Sequence, residues 1–182
     1  MALDGTGFSS PSNKHLQPKP MDTRNINISF KVHANASDLN DADNDLVLRA
    51  REVAATAYAP YSGFRVGAVA RMPDDKLVMG TNQENASYPI GICAERVLLA
   101  AVSSISPGLP IETMAITYQS DAVDTSEPIA PCGMCRQALV EFESRFNAPM
   151  RLLLTGTSGE VFEFETPSDL LPMAFKHYHL GK

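Results

Sequence analysis

Residues 76–118 read KLVMGTNQENASYPIGICAERVLLAAVSSISPGLPIETMAITY and contain, in order, the signals of a strand, a loop, a helix and another strand. Lys76–Thr81 is typical of one arm of a β-hairpin, and the apolar run Cys93–Ser104 is typical of a buried helix. A Pro-Gly pair at positions 107–108 ends that helix, and Thr113–Tyr118 then indicates a buried strand. Strands that alternate with helices predict an α/β fold.

Further elements are predicted on both sides of this stretch. Asn25–Val32 alternates apolar and polar residues, which predicts a half-buried strand near a sheet edge. Ser37 or Asp38 is expected to cap a helix that begins at Leu39 and runs to about Tyr58. The remaining predicted elements are strands at about Phe64–Met72, Leu152–Leu154 and Val161–Phe164, and helices at Cys132–Phe146 and from Ser168. This order predicts a three-layer α/β/α sandwich with a mixed sheet.

Length and composition set the class of protein. The 182 residues suit one domain, which we place at residues 22–182, behind a flexible N-terminal arm at residues 1–21 that is rich in Gly, Ser and Pro. A net charge of −6 argues against a nucleic-acid partner, and no apolar run is long enough for a membrane partner. The N-terminus lacks the pattern of a signal peptide, and three cysteines cannot all pair, so we expect a cytoplasmic protein.

The three cysteines lie at two predicted helix starts. Cys132 and Cys135 are three residues apart, so both thiols share one face of a first helical turn, while Cys93 opens the other helix. Helix N-termini favour thiolates because they carry unpaired N–H groups and a partial positive charge. If the two helix starts face each other, three thiolates surround one point, which is the ligand set of a catalytic zinc with one open position.

Other interpretations of the cysteines remain open at this stage. They could be inert buried side chains, or Cys93 could form a disulfide with one of the other two. Cys132-Gly133-Met134-Cys135 also has the spacing of a redox motif, which would make the protein a dithiol oxidoreductase. A structural zinc needs a fourth ligand, and none of the four histidines has an evident place beside the cysteines: His15, His33, His177 and His179.

Glu95 favours the catalytic zinc. It follows Cys93 by two residues, and residues two apart on a helix do not face the same way. Glu95 is therefore poorly placed to bind the same metal ion as a ligand. It could instead lie beside the metal, where a carboxylate serves as general base for water and then as general acid for a leaving group.

These segments resemble the small homotetrameric zinc-dependent cytidine deaminases. Zinc deaminases carry a Cys₃ or His/Cys/Cys zinc, a glutamate that is not a ligand, and a Pro-Cys-x-x-Cys signature. The resemblance extends from about Leu39 to Phe175, with the motifs in the expected order. The matching segments are Ala59-Pro60-Tyr61-Ser62, Phe64-Arg65-Val66-Gly67-Ala68, Asn82-Gln83-Glu84-Asn85-Ala86-Ser87-Tyr88-Pro89, Cys93-Ala94-Glu95-Arg96, Pro131-Cys132-Gly133-Met134-Cys135-Arg136-Gln137 and Leu170-Leu171-Pro172 with Phe175.

The resemblance implies a role for each matching residue. Zn²⁺ is held by Cys93, Cys132 and Cys135, and Glu95 exchanges protons with water, the pyrimidine and the departing amine. Arg96 is implied to hydrogen-bond the ligating sulfurs, while Arg136 is given no role. The implied substrate contacts are Asn82 and Glu84 to the ribose, Phe64 in the pocket wall, the Ala94 backbone N–H to the base, and Phe175 stacked on the pyrimidine bound by a neighbouring subunit.

The function implied is deamination of free cytidine and 2′-deoxycytidine in pyrimidine salvage, by a homotetramer whose sites are shared between subunits. A carboxylate at the ribose would repel a substrate phosphate, so Glu84 favours a nucleoside over a nucleotide. A deaminase of a cytosine-nucleoside antibiotic such as blasticidin S is the alternative within this chemistry, and the ribose contacts weigh against it. After Phe175 the chain has Lys176-His177, where the family pattern leads us to expect Gly-Pro.

Overall fold

A computed structural model of the protein describes residues 21–181, so the predicted arm at residues 1–21 lies outside the described residues except for Met21. The strands are β1 Lys31–His33, β2 Arg65–Arg71, β3 Leu77–Thr81, β4 Thr113–Gln119, β5 Arg151–Thr155 and β6 Val161–Phe164. The α-helices are α1 Asp41–Ala54, α2 Ala94–Ile105 and α3 Gly133–Phe146. Short 3₁₀ turns occur at Ala36–Asp38, Tyr88–Ile90, Pro167–Leu170 and His177–Leu180. None of the helices described is both long and apolar enough to cross a membrane.

The six strands form one mixed sheet in the order β1-β6-β5-β4-β2-β3. Only β4 and β5 are parallel, and the chain between them crosses over through α3. Helix α1 packs on one face, where Leu46 and Val47 meet Leu153, while α2 and α3 pack on the other. Leu152 and Leu154 face α2 and α3, so this leucine run is buried on both sides. The predicted three-layer α/β/α sandwich with a mixed sheet is confirmed.

The topology brings the starts of α2 and α3 to the same end of the sheet. Gly67 in β2 pairs with Thr81, the last residue of β3, and Arg65 at the start of β2 pairs with Gln119, the last residue of β4. The chain therefore leaves β3 and β4 at the same end of the sheet. The next α-helices after those strands are α2 and α3 respectively.

A glycine in β3 sets how closely α2 approaches the sheet. A Cβ atom added at Gly80 would lie 2.5 Å from the carbonyl oxygen of Ala94 and 2.6 Å from the backbone nitrogen of Leu98. Real Cβ atoms do not tolerate such distances, so the first turns of α2 rest directly on the β3 backbone.

The first predicted strand is wrong in length. Only Lys31–His33 pairs, because β6 is its one neighbour among the strands of residues 21–181, and β6 spans four residues. Its apolar residues are 44–57% exposed, namely Ile26, Ile28, Phe30 and Val32. The ring of Phe30 nevertheless lies 4.9 Å from that of Phe164, and β1 is an edge strand as predicted.

The predicted limits of the first helix are also wrong. Asn40 caps α1 by accepting a hydrogen bond from the Asp43 N–H at 2.9 Å, whereas residues 36–38 form a separate 3₁₀ turn. The helix ends at Ala54 rather than near Tyr58, because the Tyr58 N–H donates to the Asn82 carbonyl. That bond joins the end of α1 to the loop that follows β3.

A buried ion-pair network fixes α1 against the sheet. The Asp43 carboxylate accepts hydrogen bonds from Arg71 of β2 at 2.9 Å and from Arg151 of β5 at 2.8 Å. Burial alone would raise the pKa of Asp43, but the hydrogen bonds from Arg151 and Arg71 outweigh it and hold that pKa below its usual value. The sequence pattern did not indicate this network.

Candidate active site

Three thiols meet where α2 and α3 begin. Cys93 is the N-cap of α2, Cys132 is the N-cap of α3, and Cys135 lies in the first turn of α3. The Sγ atoms of Cys93 and Cys132 are 3.9 Å apart, those of Cys132 and Cys135 are 3.4 Å apart, and all three lie within 4.8 Å of one another. The two helix starts face each other as predicted.

The donor set fits a tetrahedral zinc ion. Zinc–thiolate bonds of about 2.3 Å at tetrahedral angles place the sulfurs about 3.8 Å apart, close to the spacing of the Cys93, Cys132 and Cys135 sulfurs. All three cysteines are free thiols, so the disulfide interpretation is wrong for this structure.

A fourth protein ligand is not found among residues 21–181. The metal-ligating atoms gathered there belong to the three cysteines alone. His33 instead contacts Glu163 at 2.8 Å, and His179 stacks on Phe175. The described residues therefore resemble a catalytic site with an open position more than a closed structural site.

The cluster favours one thiolate before any cation binds. Interaction with the neighbouring Cys135 thiol is the main reason that the pKa of Cys93 is lowered, to about 6. The pKa of Cys135 is raised by the same interaction and by burial of its thiol. A metal cation would supply the charge that ionisation of the remaining thiols requires.

Glu95 is buried beside the sulfurs. It occupies the second position of α2, is 4% exposed, and does not belong to the group of candidate ligands. Burial raises the pKa of its carboxyl, so this group holds a proton more readily than an ordinary glutamate. That is the property required of a residue that takes up and releases a proton near neutral pH.

A cavity of about 430 Å³ opens onto Glu95 and two of the thiols. This volume suits a small organic ligand. The lining residues are Ser62, Phe64, Val66, Asn82, Glu84, Cys93, Glu95, Ile129, Ala130 and Cys132. Four of the predicted substrate and acid–base residues thus share one wall with the sulfurs: Phe64, Asn82, Glu84 and Glu95.

Backbone hydrogen bonds hold Asn82 in the cavity wall. The Asn82 side chain accepts from the Val66 N–H at 2.7 Å and donates to the Phe64 carbonyl at 2.8 Å. These contacts use one of its two amide hydrogens, so the other is free to donate to a ligand.

Hydrogen bonds from a neighbouring turn stabilise the carboxylate form of Glu84. The Ser62 hydroxyl and the backbone N–H groups of Tyr61 and Ser62 donate to its carboxylate, and they lower the pKa of Glu84. Sequence reasoning missed Ser62 as the partner that orients this carboxylate, because its position in a Pro-Tyr-Ser-Gly turn reveals no contact with a residue 22 positions away.

Phe64 is predicted to lie in the pocket wall, and the Ala94 backbone N–H is predicted to contact the base. The ring of Phe64 is stacked on that of Tyr118, with centroids 5.0 Å apart. Ala94 is fully buried at the first position of α2, where the backbone N–H has no partner within the helix. Ala94 is not itself among the lining residues of the cavity, so its contact with the base stays a prediction.

Arg96 and Phe175 lie elsewhere. Arg96 makes no hydrogen bond to the sulfurs, so that implied contact is absent, and its side chain lines a groove between α2 and α3 with Leu99 and Glu141. Phe175 is 57% exposed and does not line the cavity of its own chain. Arg96 misses the sulfurs because it is the third residue of α2, and its side chain lies towards α3 rather than towards the cavity.

Comparison with known proteins identifies relatives of this chain. Residues 40–147 match the family described as the cytidine and deoxycytidylate deaminase zinc-binding region. A cytidine deaminase of Halalkalibacterium halodurans is 38% identical over 130 residues, which is 71% of this chain and 91% of that protein. A cytidine deaminase of Sporosarcina psychrophila is 36% identical over 137 residues, which is 75% of this chain and 93% of that protein. The crystal structure of a cytidine deaminase from Burkholderia pseudomallei superposes with a TM-score of 0.62 at 36% identity, covering 72% of this chain and 97% of that one.

Proposed function

The chain belongs to the cytidine and deoxycytidylate deaminase family, and from this premise we propose that it hydrolyses free cytidine and 2′-deoxycytidine to uridine and 2′-deoxyuridine, releasing ammonia. The observation that carries the proposal is a buried glutamate beside three converging sulfurs, at the wall of a cavity large enough for a nucleoside. We assign the reaction to pyrimidine salvage in the cytoplasm, where a reducing environment keeps thiolate ligands intact.

The cofactor is zinc, and its proposed ligands are the Sγ atoms of Cys93, Cys132 and Cys135. When bound, zinc supplies Lewis acidity, which lowers the pKa of water towards neutrality. The partial positive charges of the α2 and α3 N-termini stabilise the three thiolates that hold it.

Glu95 carries the protons in the proposed mechanism. Its carboxylate takes one proton from the attacking water and passes it to N3 of the pyrimidine. It then takes the remaining proton from the new hydroxyl on C4 and delivers it to the amino group, which leaves as ammonia while the C4 carbonyl forms. Water contributes the oxygen of the uridine product, so atoms and charge balance. The raised pKa of Glu95 suits both directions of this transfer.

The rest of the wall orients the nucleoside. Asn82 and Glu84 bind the ribose hydroxyls, Phe64 packs beside the base, and the Ala94 N–H donates to the base. An ionised Glu84 repels a phosphate group on the substrate, which favours nucleosides over nucleotides and nucleic acids.

We propose that the protein is a homotetramer in which Phe175 stacks on the pyrimidine of a neighbouring subunit. Support comes from the exposure of Phe175 outside its own cavity and from the exposed side chains of Tyr88 and Ile90, in the 3₁₀ turn that precedes α2. Light scattering should give four times the 19.7 kDa chain mass. A monomer with full activity would contradict the shared site.

The central test combines metal analysis with a substrate panel. We expect the purified protein to contain about one zinc per chain and to lower the absorbance of cytidine and deoxycytidine as they are deaminated, with cytosine and cytidine monophosphate converted far more slowly. A chelator that removes the zinc should abolish turnover, and added zinc should restore it. The proposal fails if the protein never exposed to chelator lacks zinc, reduces disulfides, or prefers blasticidin S.

A further inference from the structure

Arg136 holds the backbone on both sides of Cys132. Its side-chain Nε donates to the Pro131 carbonyl at 2.7 Å, and its backbone N–H donates to the Cys132 carbonyl at 2.9 Å. These two carbonyls flank the Cα atom of Cys132. The second bond is the ordinary first-turn bond of α3, so what the arginine side chain adds is the hold on Pro131. That hold resists rotation of Cys132, which would carry its sulfur away from Cys135.

The same side chain reaches the C-terminal segment, which we define as residues 167–175. Arg136 Nη1 donates to the Leu170 carbonyl at 3.0 Å, and the neighbouring Gln137 donates through Nε2 to the Phe175 carbonyl at 2.8 Å. Leu170 is 9% exposed. Two consecutive residues in the first turns of α3 thus fasten this segment beside the thiols.

We infer that Arg136 is a positioning residue that holds Cys132 in place for zinc and couples the metal site to the C-terminal segment. The inference rests on the proposed function, in which Cys132 is a zinc ligand. Arg136 does not touch substrate or metal in this assignment. Its side chain binds the Pro131 carbonyl, next to Cys132, and the Leu170 carbonyl in the C-terminal segment. A shift of either backbone segment is therefore felt by the other.

An arginine is suited to this position because of its shape. The planar guanidinium offers Nε and Nη donors in a fixed fork, so one side chain satisfies two carbonyls from separate segments. Pro131 is buried and Leu170 nearly so, and a buried carbonyl that loses its partner keeps the cost of desolvation. A lysine can donate to one of them but does not reproduce the fork.

The experiment compares zinc release from the intact protein in four variants. Loss of a group that supports a metal ligand typically weakens metal affinity tenfold to a hundredfold, so Arg136→Gln should release zinc to an excess of chelator faster than the original protein by about that factor. Amide hydrogen exchange in residues 167–175 should rise in the same variant. Arg136→Lys should recover part of the loss in the zinc release rate.

Two further variants separate the roles. Gln137→Ala should raise hydrogen exchange near Phe175 while leaving the zinc release rate close to that of the original protein. Arg145→Gln removes the same charge from an exposed position on the same helix and should change neither measurement.

Each outcome decides the matter. Zinc release from Arg136→Gln at the original rate would overturn the inference, as would an equal acceleration by Gln137→Ala or by Arg145→Gln. If Arg136→Gln does not fold, Arg136→Lys decides alone, and release at the original rate from that variant overturns the inference. An original protein that holds no zinc would refute the proposed function instead, so the two failures are distinguishable.

Discussion

Glu95→Gln protein should bind its zinc normally and lose a factor of about 10² to 10⁴ in turnover. Glutamine has nearly the same shape as glutamate but can neither accept a proton from water nor deliver one to the pyrimidine. The proposed zinc ligands are the three cysteine sulfurs, and Glu95 is not among them. The variant should therefore keep its zinc. The measurement is zinc content per chain together with kcat and KM from the absorbance of cytidine.

The burial of Glu95 adds a second expectation for the same variant. The carboxyl is 4% exposed, and a neutral amide is less costly to bury than a group that ionises. We therefore expect the thermal midpoint of Glu95→Gln to equal or exceed that of the original protein. Glu141→Gln, on the exposed side of α3, serves as the matched control and should keep full activity. Retention of most turnover by Glu95→Gln would remove the proton-transfer role.

Cys135→Ala should lose both zinc and measurable deamination. Cys135 is fully buried, and its sulfur lies 3.4 Å from that of Cys132, so its removal leaves two thiols and no replacement ligand nearby among the described residues. Dialysis followed by metal analysis should give a zinc content near zero, and deamination should fall to background.

Met134→Ala is the control for that experiment. Met134 lies between the two cysteines of α3 and is 66% exposed, so its truncation changes the same turn without touching the sulfur cluster. Zinc content and activity should both persist. A Cys135→Ala protein that keeps zinc and turns over cytidine would exclude this residue as a ligand. A protein that reduces disulfides, and does so equally well as Cys93→Ala, would favour a dithiol oxidoreductase.

Much of the architecture could be predicted because local signals and tertiary packing agree. The leucine run at 152–154 is apolar throughout since both of its faces are covered, and Cys93 and Cys132 stand at helix starts that the packing retains. Convergence of the thiols followed from their spacing in the chain together with the expected facing of the two helices.

Other features depend on contacts between distant residues. Asn25–Val32 has the alternation of a strand, yet pairing extends over three residues because its partner strand is short. The end of α1 is set by a hydrogen bond from Tyr58 to Asn82, and the orientation of Glu84 is set by Ser62. The contacts of Arg136 with Pro131 and Leu170 are also invisible in sequence, since an arginine near a helix start is equally typical of a solvated surface.

Gly80 has a consequence for how this protein tolerates mutation. It touches no ligand, yet any larger residue there would push the first turns of α2 outward and move the Cys93 sulfur and the Glu95 carboxyl together. In a saturation mutagenesis screen for turnover, position 80 would therefore be as intolerant of substitution as the position of a catalytic residue. Attempts to broaden the range of accepted nucleosides should therefore leave position 80 unchanged and diversify lining residues outside α2, such as Ile129 and Ala130.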